Sequence, residues 1–311
     1  MVFGSRISEP STQDRNGLAV FDVAGAAERP RPVRWFLTLV AILLAAQITW
    51  LIITNPSLEW NVVWQWLFDH SVLQGLTVTL GLAVAAMVIG TAIGLLLAIA
   101  RLSNSRLAQA FAGLYIWFFR GTPMLVQLIF WYNLATLFPN LSIAIPFGPT
   151  IVSWDTNTVI TPLTAAVVGL ALNEAAYMAE IIRGGLLSVD TGQSETAQAF
   201  GMTRSRALRR IIIPQAMRSI IPPTGNQFIS LIKGTSLVSV IAMNDLLYSV
   251  QSIYNRTFEI IPLLLVAVVW YLLVTSVLNV GQSRIEAYYG RGSRRTPDQD
   301  TNPALATEDM R

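Results

Sequence analysis

The chain has 311 residues, 53% of them hydrophobic and 13% charged, with a mean hydropathy of +0.52 and a net charge of +3. A soluble globule of this length exposes more charge, so the composition predicts an integral membrane protein, and we expect no nucleic-acid partner. Cysteine is absent and His70 is the one histidine, which excludes disulfide frameworks, thiolate zinc sites and multi-histidine metal sites; we expect neither a bound metal nor a catalytic residue.

Six apolar runs dominate the chain and predict six membrane-spanning helices. About 20 residues at about 1.5 Å per residue cover the roughly 30 Å of a hydrocarbon core. The runs are residues 35–54, 72–100, 123–138, 162–182, 217–243 and 261–280. No small-residue cleavage site follows the first run, so we expect an uncleaved span. The polar flanks, 1–34 and 290–311, predict solvated tails.

The basic residues divide unevenly between the two sides of these spans. Of the 21 Lys and Arg residues, 19 precede the first span, follow the last, or lie in the loops after spans two and four. Arg256 falls on the opposite side and Lys233 lies inside a span. The positive-inside rule then places both termini and the loop 188–216 in the cytoplasm, and the segments 55–71 and 139–161 on the outer, periplasmic side.

The stretch FFRGTP lies between the second and third predicted spans. Gly121 and Pro123 predict a turn there. The preceding residues, 107–119, are predicted to lie along the membrane surface. We interpret Arg120 as architectural, with a role in packing and topology.

The loop between spans four and five contains the stretch ETAQAFGMTRSRALRRIIIPQA, which begins at Glu195. We predict that Glu195 lies in the first turn of a helix of about six residues, between Ser194 as N-cap and Gly201 as the C′ residue. A second segment, capped by Thr203, must stop or kink before Pro214, because proline disfavours helical geometry in the residue before it.

A helix this short needs a surface to pack on, since isolated helices below about 12 residues are marginal in water. Ala197 and Phe200, three residues apart, predict a small apolar face. The charges around it can match those of a cytosolic partner; they are Glu195, Arg204, Arg206, Arg209 and Arg210. The residues alone leave two interpretations open, a docking element or a solvated linker whose basic residues only enforce topology.

Polar residues inside the fourth predicted span indicate a site within the membrane. Glu174 lies 12 residues into the span, about 18 Å along a helix and so near the bilayer midplane. A carboxylate at that depth is a functional-site candidate, because burying it unpaired is unfavourable. Asn173, Tyr177 and Glu180 recur at helical spacing and predict one polar stripe. Glu180 can instead pair with Arg183.

The fifth predicted span carries a polar row and two prolines. The row consists of Asn226, Ser230, Lys233, Thr235 and Ser236. Lys233 serves either this row or a structural bond to another helix. Pro222 and Pro223, followed by Gly225, interrupt the helical hydrogen-bond ladder and predict a hinge or a static kink.

Four stretches together resemble one family of membrane proteins. ETAQAFGMTRSRALRRIIIPQA resembles the cytoplasmic coupling loop of permease subunits of binding-protein-dependent ABC importers, in which Glu-Ala-Ala and a Gly four residues on precede a hydrophobic-Pro close. The family spacing is kept by Glu195, Ala197, Gly201 and Pro214, with Thr196 in place of the first Ala. RGTPMLVQL, YMAEIIRGGLLSVDTGQSE and IKGTSLVSV, in family order, are similar to the branch that handles His, Gln, Glu, Arg and opine-type substrates.

The resemblance covers about residues 71–289. It implies an all-α integral membrane protein with the type I ABC importer permease fold, whose five-helix core is 72–289, and a location in the bacterial inner membrane. The span 35–54 is an extra N-terminal helix, additional to that core. Gly234 departs from the family, in which an acidic residue often follows the Lys.

The resemblance also implies partners. Such permeases work in pairs above two ABC ATPase subunits and receive substrate from a periplasmic amino-acid-binding protein; the second permease is either an identical chain or a paralogue. The chain lacks a G-x-x-x-x-G-K-[ST] phosphate loop, so we expect a transport subunit that is not an enzyme and holds no cofactor, with ATP and Mg²⁺ on the partner ATPase. The coupling residues that the family loop implies are Glu195, Ala197, Phe200, Gly201, Arg204 and Pro214.

A free amino acid presents an ammonium and a carboxylate group, so its path needs both an acceptor and donors. Glu174 is the candidate acceptor for the ammonium. The predicted substrate pathway comprises Asn173, Glu174, Tyr177, Glu180, Ser230, Lys233, Thr235 and Ser236. Two other classes fit less well: a membrane enzyme needs paired Asp or His residues within the spans, and a secondary transporter gives no reason for the coupling loop.

Overall fold

The computed structural model describes residues 12–13, 19–20, 32–145 and 149–290. The chain forms two compact units, Met1–Leu58 and Glu59–Arg311. The remainder of the two predicted tails lies outside the described residues.

The first unit contains one long helix and a short strand pair. β1 (Thr12–Gln13) pairs antiparallel with β2 (Ala19–Val20). Helix α1 (Pro32–Thr54) has 23 residues, about 34 Å of helix, which is enough to cross a hydrocarbon core. A 3-10 turn, Pro56–Leu58, follows it. The first predicted span is therefore confirmed as a single helix.

The second unit is built from helices and one hairpin. Its helices are α2 (Trp60–Leu67), α3 (His70–Leu102), α4 (Arg106–Gly121), α5 (Met124–Tyr132), α6 (Leu134–Leu137), α7 (Thr156–Val159), α8 (Pro162–Leu187), α9 (Thr191–Ala199), α10 (Arg204–Ala207), α11 (Ile213–Gly234), α12 (Leu246–Thr257) and α13 (Ile260–Tyr289). A π-helical turn, Leu208–Ile212, joins α10 to α11, and a 3-10 helix, Thr235–Ile241, follows α11. The all-α prediction holds for the bulk of the chain.

Four predicted spans are single helices, and two are broken. The single helices α1, α3, α8 and α13 are long and apolar enough to cross a membrane. The turn predicted at Gly121 and Pro123 is confirmed, because α4 and α5 meet there at a bend of 102°. The prediction of one helix over 123–138 is wrong, because α5 ends at Tyr132 and the short helix α6 follows it. The prediction over 217–243 is also wrong as a single helix, since α11 gives way to the 3-10 helix and the chain then bends by 45° into α12.

Helices α3 and α8 form the central packing of the second unit. A Cβ at Gly94 of α3 would lie 2.8 Å from Cβ of Met178 and 2.9 Å from the backbone oxygen of Ala175. A Cβ at Gly90 would lie 2.8 Å from Cβ of Glu174. Small residues let two membrane helices approach closely, so these glycines set the distance between α3 and α8.

The outer segment 139–161 contains a hairpin that the sequence did not predict. β3 (Asn140–Ala144) pairs antiparallel with β4 (Thr150–Asp155), with Leu141 opposite Trp154. Asp155 then caps α7, accepting hydrogen bonds from the backbone of the first turn. Pairing the two strands satisfies backbone groups that a helix would otherwise satisfy.

Two further caps position helices near the outer side. Asp69 caps α3, and the hydrogen bond that the Ser71 hydroxyl donates to it holds the pKa of this carboxyl below its usual range. Asp245 caps α12 by accepting from the backbone N–H of Leu247 and Tyr248. The hydroxyl of Thr79 accepts from the N–H of Leu246 at 3.0 Å, which ties the start of α12 to α3.

Candidate functional site

Helix α9 begins earlier than the sequence predicted. Asp190 is its N-cap, and the Asp190 carboxylate accepts a hydrogen bond from the N–H of Gly192 at 2.7 Å. The assignment of Ser194 as N-cap is wrong, because Asp190 offers a capping carboxylate one turn earlier, and the Ser194 hydroxyl instead donates to the carbonyl of Thr191. Glu195 consequently lies in the middle of a nine-residue helix and not in its first turn.

Helix α9 ends where the sequence predicted, just before Gly201. Gly201 has φ +71°, the left-handed conformation that glycine adopts without strain. The N–H of Gly201 donates to the carbonyl of Gln198, and the N–H of Met202 donates to the carbonyl of Ala197. These two bonds form a Schellman motif, which confirms Gly201 as the C′ residue.

The two predicted apolar contacts of α9 behave differently. Ala197 is 2% exposed and packs inward, whereas Phe200 is 82% exposed. The prediction of a shared apolar face is therefore wrong: α9 ends at Ala199, and Phe200, as the C-cap residue, leaves the packed side. Glu195 is exposed as well. Helix α9 thus presents a carboxylate and an aromatic ring that the chain's own packing does not use.

The segment after α9 is helical but irregular. Thr203 stands at the N-cap position of α10, although its side chain makes no capping bond. The π-helical turn follows, and Pro214 lies in the first turn of α11, where a missing N–H is tolerated. The kink predicted before Pro214 therefore takes the form of the π-helical turn, which is wider than an α-helical turn, and the helix continues into α11. Arg204 is exposed at the start of α10.

Two side-chain hydrogen bonds connect α11 to α9 and to the residues just before α9. The side-chain amide of Gln215 donates to the side-chain oxygen of Gln193 at 3.3 Å. The hydroxyls of Ser188 and Ser219 lie 2.9 Å apart and share a hydrogen bond. A displacement of α9 is therefore passed both to α8, which it follows in the chain, and to α11.

Glu174 is buried among α3, α8 and α11. It is 2% exposed, and its Oε2 accepts a hydrogen bond from the side-chain amide of Gln227 on α11 at 3.0 Å. Within the described ranges no group donates to its Oε1. The absence of a side chain at Gly90 makes room for its Cβ and Cγ. Glu174 therefore links the two helices that α9 also joins.

Asn173 has a different set of neighbours. Its side-chain amide donates to the carbonyl of Phe119 and to Oε1 of Gln127, both at 3.1 Å. Gln127 in turn donates to the carbonyls of Phe119 and Thr122. These are the last residues before the 102° bend, so the two amides satisfy backbone oxygens that the bend frees.

The remaining polar residues of α8 contact basic residues. The guanidinium of Arg120 lies 5.4 Å from the ring centroid of Tyr177, a cation–π distance. Arg183 and Glu180 form an ion pair at 2.7 Å, which confirms that alternative for Glu180. The predicted single stripe on α8 is wrong, because Glu174 faces α3 and α11 while Asn173 faces the bend between α4 and α5.

The polar row predicted on the fifth span divides, after Asn226, into exposed side chains and hydroxyls that bond to nearby backbone carbonyls. Ser230 and Lys233 are exposed on α11. The hydroxyl of Thr235 is buried and donates to the carbonyl of Ile232, and that of Ser236 donates to the carbonyl of Lys233. The structure does not gather these donors around Glu174. Of the row, Lys233 is the one cation, and it makes no ion pair within residues 32–145 and 149–290.

The two prolines lie inside α11, which remains helical through them. The side-chain amide of Gln282, on α13, donates to the carbonyl of Pro222 and to Glu286. Asn226 also donates to Glu286, at 3.1 Å. Gly225 lies against the Gln282 side chain, where no Cβ would fit. Helix α13 therefore braces this part of α11 and satisfies a carbonyl beside the prolines.

Sequence reasoning missed two residues of the buried network, Gln127 and Gln227. Gln127 is the one glutamine of the otherwise apolar stretch MLVQLIFW, and that isolation was the available signal. Gln227 adjoins Asn226, which the helical spacing favoured instead. The spacing alone gave no means of deciding which neighbour faces α8.

Comparison with known proteins gives a consistent result. A family model described as "Binding-protein-dependent transport system inner membrane component" matches residues 90–288. The arginine transport system permease protein ArgU of Corynebacterium glutamicum is 41% identical over 280 residues, 88% of this chain and 86% of that protein. The glutamine transport system permease protein GlnP of Escherichia coli is 34% identical over 229 residues, 73% of this chain and 96% of that protein.

Two solved structures match as well. An amino acid ABC transporter crystallised with histidines is 35% identical, with a TM-score of 0.60, over 70% of this chain and 94% of that one. The MetNI methionine ABC transporter in an inward-facing conformation is 20% identical, with a TM-score of 0.55, over 72% of this chain and 96% of that one, and shows likeness of fold alone.

Proposed function

Because the chain belongs to the family of binding-protein-dependent transport system inner membrane components and is a permease subunit of an amino acid ABC importer, we propose that it carries a polar amino acid inward and is driven through α9. The chain is a multi-pass inner-membrane protein, and ATP hydrolysis belongs to a separate subunit of the transporter. The relatives ArgU and GlnP are named for arginine and glutamine, and both names support a polar substrate.

The observation that carries this proposal is the surface of α9. A nine-residue helix is too short to be stable alone, yet this one is capped at both ends, fastened to α11 and exposes Glu195 and Phe200. A groove of the ATPase subunit is the partner of that surface. When two ATPase subunits close on ATP and Mg²⁺, α9 moves with them and displaces α8 and α11.

The assembly proposed around this chain has four further subunits. Two ATPase subunits lie on the side of α9, which the distribution of basic residues assigns to the cytoplasm together with both termini. A second permease, identical or paralogous, completes the path, and a periplasmic binding protein delivers the amino acid. ATP and Mg²⁺ bind to the ATPase subunits.

We place the acceptor for the substrate ammonium at Glu174. Its Oε1 has no donor within the described residues, and only the Gln227 amide engages Oε2. Gly90 and Gln227 enclose the carboxylate, so contact with an amino acid requires α8 and α11 to separate. Lys233, exposed on α11, is the candidate donor to the substrate carboxylate.

The first test is to purify the chain from membranes in mild detergent and to identify what accompanies it by mass spectrometry. A photo-crosslinker at position 195 is expected to capture the ATPase subunit, and one at position 257, at the exposed end of α12, is not. A stoichiometric ATP-binding subunit supports the coupling role and also distinguishes a homodimer from a heterodimer of permeases. Recovery of the chain alone, with no crosslink from position 195, would overturn it.

A further inference from the structure

A second polar feature lies just beyond the coupling helix. A cavity of about 300 Å³ is lined by five residues, Thr203, Ser205, Arg206, Arg209 and Arg210. Three are arginines, two carry hydroxyl groups, and none is acidic. The cavity differs in this respect from the ion pair of Glu180 with Arg183, where the positive charge is balanced within the chain.

The five side chains have no partners in the part of the chain that the structure describes. No ion pair or hydrogen bond reaches the guanidinium groups of Arg206, Arg209 and Arg210 there. Thr203 stands at an N-cap position without making the capping bond, so its hydroxyl is free to face a ligand. Three like charges around one small cavity repel one another unless an anion lies between them.

The donor set suits a phosphate group. A guanidinium presents parallel N–H donors that match two oxygens of a phosphate, and hydroxyls complete the coordination. Arg209 and Arg210 lie within the π-helical turn, and Arg206 lies one turn before them. The wider turn lets residues three and four apart line one concave surface, as the cavity shows.

The cavity lies at the entrance of a membrane span. Helix α11 starts at Ile213 and its 22 residues extend about 33 Å, the thickness of a hydrocarbon core. Arg209 and Arg210 lie near the start of the segment Arg204–Ile241, which with Leu246–Thr257 is long and apolar enough to form one bent span, so their long side chains can reach lipid headgroups. Leu208 and Ile213, 42% and 38% exposed, flank them with apolar surface that acyl chains can contact.

We propose that this cavity binds the phosphate headgroup of an anionic phospholipid in the leaflet on the side of α9. Basic clusters next to a span attract anionic lipids, and a headgroup fits a concave site of this volume better than the flat face of a protein does. The site goes beyond the proposed function, because it assigns a lipid ligand to arginines that the sequence alone offered to a cytosolic partner. A bound lipid neutralises the arginines and steadies the link between α9 and α11.

The test uses the intact transporter purified in mild detergent and examined by native mass spectrometry with added phosphatidylglycerol or phosphatidylcholine. Wild-type protein is expected to retain phosphatidylglycerol. The combined variant Arg206→Gln, Arg209→Gln, Arg210→Gln is expected to retain it about tenfold more weakly or worse. Arg284→Gln, which removes an exposed arginine of α13 outside the cavity, is the matched control and is expected to behave as wild type.

A second measurement needs no variant. Hydrogen exchange of residues 203–212 in wild-type protein is expected to slow when phosphatidylglycerol, but not phosphatidylcholine, is added. No protection, or equal displacement of the lipid by inorganic phosphate, would overturn the lipid assignment. Loss of the ATPase subunit from the triple variant with unchanged lipid retention would assign the cavity to the partner protein instead. Because none of these results depends on transport, failure here leaves the proposed function standing.

Discussion

Helix α9 and the α3–α8 pair are held in place by opposite means. In α9 the ends are specified locally, by the Asp190 cap and the Gly201 turn, while the exposed side is left without neighbours. In the α3–α8 pair the helix starts are also capped, by Asp69 and Thr161, but the helices are held by each other, at a distance that depends on Gly90 and Gly94.

The difference separates what the chain does alone from what it does with partners. The α3–α8 contact is complete within the chain, so changes there should alter folding. In the proposed function the surface of α9 is completed by the ATPase subunit, so changes at Glu195 should alter transport and leave folding unaffected. Four predictions test this contrast, in order from the largest expected effect to the smallest.

The largest effect is expected from Gly94→Val. The new Cβ meets the Met178 Cβ and backbone atoms of Ala175 and Ala179 within 2.9 Å, and backbone cannot move aside cheaply. We expect a loss of about 3 kcal/mol in stability, measured as thermal unfolding of the detergent-purified protein. Gly81→Val, on the same helix with nothing within 4 Å, should change stability by less than about 0.5 kcal/mol. Equal losses of stability in Gly94→Val and Gly81→Val would contradict the view that contact with α8 makes Gly94 necessary.

Reversing the charge at Glu195 is expected to leave folding intact. Glu195→Lys should lower ATP-driven uptake at least about tenfold, a loss of about 1.4 kcal/mol in coupling, because the surface of α9 no longer matches its partner. The unfolding temperature should match that of wild type. Glu59→Lys, at an exposed position before α2, is the control and should transport normally. A lowered unfolding temperature for Glu195→Lys would mean that α9 is structural.

A smaller effect is expected from Glu174→Gln, which keeps the shape of the side chain inside the packed region. The substituted amide can still accept from Gln227 but no longer attracts an ammonium group. We expect KM for the amino acid to rise about tenfold at most, with ATPase activity retained. Glu286→Gln, which removes a carboxylate on α13, should leave KM unchanged. Identical uptake kinetics for Glu174→Gln and wild type would exclude the substrate role.

The smallest effect is expected from Gly201→Ala. No atom lies within 4 Å of the added Cβ, so the cost comes from holding a φ of +71° and amounts to about 1 kcal/mol. Hydrogen exchange should quicken in residues 196–203 alone. Gly184→Ala, which also enters open space but without a positive φ, is the control. Faster exchange throughout α8 would show that the turn supports more than α9.

The sequence predicted the coupling segment better than the membrane region. The C′ role of Gly201 and the disturbance before Pro214 depend on neighbours within one or two turns, and both are confirmed. Two predictions there were wrong. Ser194 is not the N-cap, because Asp190 lies one turn earlier and is the stronger acceptor, and Phe200 does not share the packed face of Ala197, because α9 ends before it.

The membrane region required knowledge of which helices meet. Gly81, Gly90 and Gly94 are equivalent in the sequence, and only the position of α8 distinguishes them. The 102° bend was visible as Gly121 and Pro123, but its angle depends on the Asn173 and Gln127 amides, which donate hydrogen bonds to the freed carbonyls. An apolar run of sufficient length therefore did not establish a straight span.

The close fit of α3 against α8 makes the two helices act as one lever. Helix α8 has 26 residues, and Ser188, Val189 and Asp190 alone separate it from α9. A tilt of about 10° applied at the α9 end moves the far end of a helix about 39 Å long by about 7 Å. Because Gly90 and Gly94 place no flexible side chain between the two helices, we expect α3 to move together with α8. A small displacement at the α9 end of α8 thus becomes a displacement as large as an amino acid at the other end of the helix.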